Sequence, residues 1–138
     1  MTERTYVLTP IGILHSDLTD RGAAPRQGYE GGPEAWVELF SAVADGLLGI
    51  RTGDEIIVIT WLDRAIRDTL QTHPGRRPDA PLTGVFATRS PDRPNPIGLH
   101  RVIVSEIDGQ RLKVGPIEAI DQTPVIDIKP VLSRSNDW

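Results

Sequence analysis

Proline and glycine cut the apolar residues of this chain into runs only a few residues long, and that punctuation constrains the fold more than any other feature. A buried helix needs roughly 10–12 residues of helical period, whereas a strand is complete in about 4–8. The strongest run, Ile56-Ile-Val-Ile-Thr-Trp-Leu62, is short, apolar and rich in β-branched side chains. It predicts a central strand buried on both faces. Trp36 to Phe40 alternates apolar and polar residues, the period of a half-buried strand. Tyr6 to Leu14 reads as a strand interrupted by Pro10 and Gly12, hence an edge or a bulge. Gly84 to Thr88 predicts another short strand, and Pro124 to Ile128 the last one. His100–Ile107 and Arg111–Val114 flank Asp108-Gly109-Gln110, a strong hairpin signal. Ala42 to Leu48 has room for one short helical turn, closed near Gly49.

These elements make a mainly β chain, a sandwich or a barrel with little helix and long polar connections at 15–33 and 63–82. With 138 residues and 38% hydrophobic composition, it reads as a single domain over 1–138. No glycine-rich fingerprint follows a strand and no βαβ alternation occurs, which disfavours a Rossmann fold. Cysteine is absent, so disulfides, a thiol nucleophile and cysteine-ligated zinc are excluded. His15, His73 and His100 lie far apart without ligand spacing, and no metal site is expected. No apolar run approaches the roughly 18 residues of a membrane span, and residues 1–15 lack the pattern of a signal peptide. The expectation is a cytoplasmic protein with no membrane partner.

The net charge of −4 argues against gripping nucleic acid by bulk electrostatics alone. The charge is unevenly placed. Residues 64–101 hold seven arginines against three aspartates, a local excess of +4 on a body of −8, which points to an anion site. Arg76 and Arg77 beside His73 come nearest to a basic patch. Aromatic residues make up only 5%, so stacking platforms are sparse: Tyr29, Trp36, Phe86 and Trp138 are available, with Trp61 assigned to the core.

The densest feature runs from Gly84 to Leu99, where Pro91, Pro94 and Pro96 stiffen the backbone. A loop so restrained loses little entropy on binding. Arg89 and Arg93 offer planar forks of donors to a carboxylate or phosphate, and Gly98 permits close backbone approach. A rigid connector with solvated arginines has the same sequence. The Asn95 side-chain oxygen and the Pro96 carbonyl can together accept from an exocyclic amine, although Asn before Pro is also ordinary turn chemistry. Asp127 and Lys129, two apart in a strand, share one face: either a solvated pair or a polar anchor beside a cleft.

Three stretches together resemble the TsaA-like (TrmO) family: Pro25-Arg26-Gln27, Gly84 through Gly98, and Asp121 through Pro130. The family signatures are P-R-Q, G-V-F-A-T-R-S-x-x-R-P-N-P-I-G and D-G-T-P-V-x-D-I-K-P. The long middle motif is highly specific, and the resemblance spans about Tyr6 to Pro130. It implies a small β-barrel that binds S-adenosylmethionine as a homodimer, with the cofactor near the subunit interface. The implied activity is N6-methylation of threonylcarbamoyladenosine beside the tRNA anticodon. By position, cofactor contacts fall on Pro25, Arg26, Gln27, Asp63, Arg64, Arg89 and Leu99, then on Asp121, Gln122, Thr123 and Pro124. Two positions depart from the pattern: Asp63 stands where better-known bacterial members have His, and Gln122 replaces the Gly of D-G-T-P. Bacterial members often carry a further C-terminal domain that helps hold tRNA, whereas this sequence ends at Trp138.

Methyl transfer from a sulfonium is an in-line displacement governed by orientation and exclusion of water. On this reading Asn95 and the Pro96 carbonyl fix the hydrogens of the acceptor amine. Arg89 anchors the cofactor carboxylate or a nearby phosphate, and Asp127 and Lys129 orient the acceptor. A methyltransferase of a small-molecule acceptor and a non-catalytic S-adenosylmethionine-binding module are the alternatives.

Overall fold

Each short apolar run needs a partner for its main-chain groups and a shelter for one face, and a closed antiparallel barrel supplies both. The computed structural model describes residues 3–21 and 32–132. Its strands are β1 (Gly12–His15), β2 (Ala35–Leu39), β3 (Glu55–Trp61), β4 (Gln71–Thr72), β5 (Thr83–Gly84), β6 (Ile97–Asp108), β7 (Arg111–Gly115) and β8 (Pro124–Pro130). Six of them close in the order β1-β2-β7-β6-β3-β8, every neighbour antiparallel. Strands β4 and β5 form a two-residue ladder outside the barrel.

The interior is built by alternation. Ala35, Val37 and Leu39 of β2, Ile56 and Val58 of β3, Val102 and Val104 of β6, and Leu112 and Val114 of β7 meet Leu14, Ile117 and Val125 in one cluster. Each fully buried side chain of this size contributes about 1.5–3 kcal/mol over exposure. The hairpin between β6 and β7 pairs Asp108 with Arg111 across a two-residue turn. Its first turn residue, Gly109, takes the positive φ of 61° that the tight connection demands. The helical turn expected at 42–48 is a 3₁₀ segment, Ser41–Leu47, with Gly49 just beyond it.

Three expectations are corrected. Strand β3 is buried on one face only: Ile56, Val58 and Thr60 point inward, while Ile57, Ile59 and Trp61 lie half-covered outside. A continuous apolar run looks the same whether its second face meets a layer of helices or the outside of a barrel. Trp61 is therefore not core, and the Arg67 guanidinium sits 5.0 Å from its ring centre. The segment Gly84–Thr88 is a strand only at its start. Val85–Ala87 forms a 3₁₀ turn, because Thr88 Oγ1 donates to the Val85 carbonyl at 3.0 Å and Arg93 Nη2 donates to the same oxygen. The first strand begins after Pro10, which has no N–H for the ladder, and Tyr6, Val7 and Leu8 stay exposed.

Candidate functional site

The proline-stiffened loop returns the chain to the barrel at Ile97, beside the end of β3, and a cleft of about 710 Å³ opens there. Leu62 to Ala65 follow β3, Phe86 to Arg93 form the opposite wall, Ile97 to His100 open β6, and Glu118 to Ile120 with Thr123 come from the β7–β8 connection. The rim is stitched by charge. Arg21 Nη2 meets Asp92 Oδ1 at 2.8 Å, and the same oxygen accepts the Ile66 N–H at 2.8 Å. Arg21 also donates to the Arg64 carbonyl and Arg64 to the Thr19 carbonyl, each at 3.2 Å. These bonds tie the loop before residue 22 to both walls.

At the floor lies a buried polar chain. His100, on the inner face of β6, sets Nε2 2.7 Å from Thr60 Oγ1 and Nδ1 2.6 Å from Glu118 Oε1. The His100 and Glu118 side chains are 3% and 17% exposed, and Thr60 is fully buried. The register explains the meeting: Thr60 pairs with Gly98, so His100 is its diagonal neighbour on the inner face. A Cβ on Gly98 would stand 2.5 Å from Thr60 Oγ1 and 2.7 Å from His100 Nε2. Gly98 thus makes room for two protein side chains beside the cleft it lines.

The expected site residues fall into three groups. Asp63, Arg64, Arg89, Leu99 and Thr123 line the cleft. Asp121, Gln122 and Pro124 flank Thr123 without lining it; Asp121 Oδ1 accepts the Ser16 N–H at 2.9 Å and binds the first loop to the last. Gln122 holds a left-handed φ of 68°, which is why a family pattern places Gly there. Pro25, Arg26 and Gln27 lie outside the described residues, as do Tyr29 and Trp138.

Asn95 is exposed beside the cleft wall and accepts from Arg67 Nη2 at 3.3 Å, while the Pro96 carbonyl accepts the Leu62 N–H at 2.8 Å. Both acceptors considered for an amine therefore have protein donors, each oxygen retaining a second lone pair. Arg93 lines the cleft, but its fork is partly committed to the protein. Its Nη2 donates to the Val85 and Thr88 carbonyls, and its Nε is buried without a partner among the described residues. Asp127 and Lys129 share the outer face of β8, 4.0 Å apart and about half exposed or more, and line no part of the cleft.

Sequence reasoning missed His100, Glu118, Thr60 and Arg21. Only strand register and loop return bring them together, and the lone histidine in an apolar strand was the available signal. Among the described residues no cluster of three His, Asp or Glu could hold a metal ion.

The fold and site define a closed antiparallel β-barrel with a ligand-sized, arginine-rimmed cleft at one mouth. Residues 13–137 match the model of the tRNA-methyltransferase O N-terminal domain, and the chain belongs to that family. A protein of Archaeoglobus fulgidus named as an S-adenosyl-L-methionine-binding protein is 44% identical over 123 residues, 89% of this chain and 87% of its own length. A second protein of that organism, named as a probable one, is 45% identical over 126 residues, which cover 91% of this chain and 34% of its length. The solved structure of TrmO from Pseudomonas aeruginosa superposes with a TM-score of 0.78 at 27% identity, over 98% of this chain and 60% of that one. This chain thus spans about a third of one archaeal relative and three fifths of the solved enzyme.

Proposed function

We propose that this chain binds S-adenosylmethionine in the cleft and transfers a methyl group to N6 of threonylcarbamoyladenosine beside the tRNA anticodon. The carrying observation is that Asp63, Arg64, Arg89, Leu99 and Thr123, drawn from separate parts of the sequence, line one cleft. Its volume of about 710 Å³ suits a cofactor-sized ligand. The lining fits the group chemically. Arg64 and Arg89 complement a carboxylate, Asp63 an ammonium, and Leu62, Phe86, Leu99 and Ile120 the apolar parts. The names of the archaeal relatives and the family description support the cofactor and the acceptor class.

S-adenosylmethionine, when bound, supplies a methyl group activated by a sulfonium. The chain's own contribution is orientation and dryness. Arg64 and Arg89 hold the anionic end, and the proline-stiffened wall keeps its shape without ligand. Asn95 takes the threonine-side N–H of the acceptor's carbamoyl group in place of the long, exposed bond from Arg67. Phe86, 84% exposed at the rim, offers a face on which a base can stack.

The chain acts as a homodimer on this reading. Ile57, Ile59, Ile97 and Leu99 form an outward apolar stripe across β3 and β6, and Leu99 also lines the cleft. Asp127 and Lys129 pair with Ile59 and Ile57 at the edge of that stripe, where they meet an acceptor seated at the interface. No helix among the described residues is long and apolar enough to cross a membrane. A tRNA substrate supports a cytoplasmic location on this reading.

The test is transfer of labelled methyl to tRNA carrying threonylcarbamoyladenosine, read by nucleoside mass spectrometry. The N6-methylated nucleoside is expected, with affinity for tRNA falling steeply with salt. The net charge of −4 favours a small-molecule acceptor as the competing reading. No product from a chain that binds S-adenosylmethionine would replace the tRNA reading with that one or with a non-catalytic binding module.

A further inference from the structure

We infer that Glu118 is the proton acceptor of the methyl transfer, held in place by His100 and Thr60. The inference rests on the proposed function and assigns a step that the motif residues leave open. An acceptor nitrogen that carries hydrogen must lose a proton when it gains a methyl group, and a positioned carboxylate can take it.

Among the described residues three carboxylates line the cleft. Asp63 is exposed to solvent, and Asp92 is committed to Arg21 and the Ile66 N–H. Glu118 is sheltered and uncommitted: it uses one oxygen for His100 while Oε2 takes no hydrogen bond among the described residues. An ionised carboxylate only accepts, so His100 Nδ1 carries the hydrogen at that 2.6 Å contact. In the neutral ring Nε2 is then an acceptor, and it faces the Thr60 hydroxyl at 2.7 Å. The chain runs from the barrel interior to the cleft with each member fixing the next.

Burying such a chain is expensive. Packed apolar residues in place of such a chain are often neutral or stabilising, so stability is a weak reason for keeping it. The backbone is arranged around it as well, since any side chain at position 98 would collide with both Thr60 and His100.

The acceptor nitrogen bonds to the methyl carbon while the carbon–sulfur bond breaks, its electron pair staying on sulfur. The proton leaves nitrogen for Glu118 Oε2. A sulfonium and a carboxylate become a neutral thioether and a carboxylic acid, which returns its proton to water when the cleft opens. His100 and Thr60 are positioning residues; of the three, only Glu118 meets the acceptor.

The experiment compares the wild-type chain with Glu118→Gln and His100→Gln in single-turnover methyl transfer to tRNA. Equilibrium dialysis of labelled S-adenosylmethionine and the low-field proton NMR spectrum are recorded on the same preparations. Glu118→Gln is expected to slow transfer about 10²- to 10⁴-fold, the usual range for losing a general base, with cofactor affinity kept. The His100 Nδ1 proton should give a low-field resonance in the wild type, without any ligand, that moves upfield in Glu118→Gln. Wild-type transfer rates in Glu118→Gln, a loss of cofactor binding that matches the loss of rate, or absence of that resonance would each overturn the inference while leaving methyl transfer intact. If Glu118→Gln does not fold, His100→Gln decides: slower transfer with binding kept supports the chain, and an unchanged rate overturns it. A wild-type chain that binds the cofactor and methylates nothing overturns both readings.

Discussion

Replacing Gly98 with alanine tests whether the floor of the cleft is built as described. The added Cβ would lie 2.5 Å from Thr60 Oγ1 and 2.7 Å from His100 Nε2, well inside contact distance, and both neighbours are buried. Overpacking a filled interior costs about 1–3 kcal/mol. Pushing the hydroxyl and the ring apart leaves a buried polar group unpaired, a further cost of about 1–3 kcal/mol. Gly98→Ala should therefore destabilise the chain by about 2–6 kcal/mol, against a total of roughly 5–15 kcal/mol for a domain. Urea unfolding measures it, with the midpoint shifted and the slope unchanged. The double variant Gly98→Ala with Thr60→Ala separates the two terms, because it removes the atom the methyl group strikes first. It should lose about 1 kcal/mol less than the two single changes added together, as contacting residues do. A loss below about 1 kcal/mol for Gly98→Ala, or strict additivity, would refute the account of this floor.

Three further outcomes are expected. Asn95→Ala should abolish methyl transfer while S-adenosylmethionine binding survives, seen by nucleoside mass spectrometry beside equilibrium dialysis; a wild-type rate would exclude Asn95 from the acceptor site. Gln122→Gly should stabilise the chain by about 0.5–1 kcal/mol by removing a non-glycine residue from a left-handed conformation, a rise of roughly 2–3 °C in Tm by calorimetry. Hydrogen bonds from Arg101 hold the Glu55 carboxyl below its usual 4.5, opposed by desolvation and helped by the weaker attraction of the guanidinium charge. A lowered folded pKa stabilises above the unfolded value and is lost as pH falls through the folded one. Glu55→Gln should thus cost under about 1 kcal/mol at neutral pH, because the pair is exposed, and the difference should vanish on acidification below 4.5.

What the sequence disclosed depended on how local the cause was. The hairpin at Gly109 was legible because its turn chemistry sits in two adjacent residues. The alternation of β2 was legible because one face meets the interior and the other does not. Strand β3 was read as doubly buried because Ile57 and Ile59 are apolar whether or not a layer covers them. The segment after Gly84 was read as strand because the arginine eight residues from Val85, whose guanidinium captures that carbonyl, carries no local mark. The same Arg93 was read as an anion fork for a like reason: composition reveals the donors but not which way they turn.

The cleft divides along the same line. Its wall is written contiguously, from Phe86 to Arg93, so a motif suffices to find it. Its floor is assembled from Thr60, His100 and Glu118, whose meeting follows from the pairing of Thr60 with Gly98 and from the return of the chain between β7 and β8. A motif that fixes a rigid wall can be carried unchanged while the residues beneath it are exchanged, provided Gly98 keeps the space open. The wall then sets where a ligand lies. On the proposed function the buried chain under it takes the proton released there, and the two parts are separable by mutation: Arg89 through cofactor binding, Glu118 through the rate of transfer with binding kept.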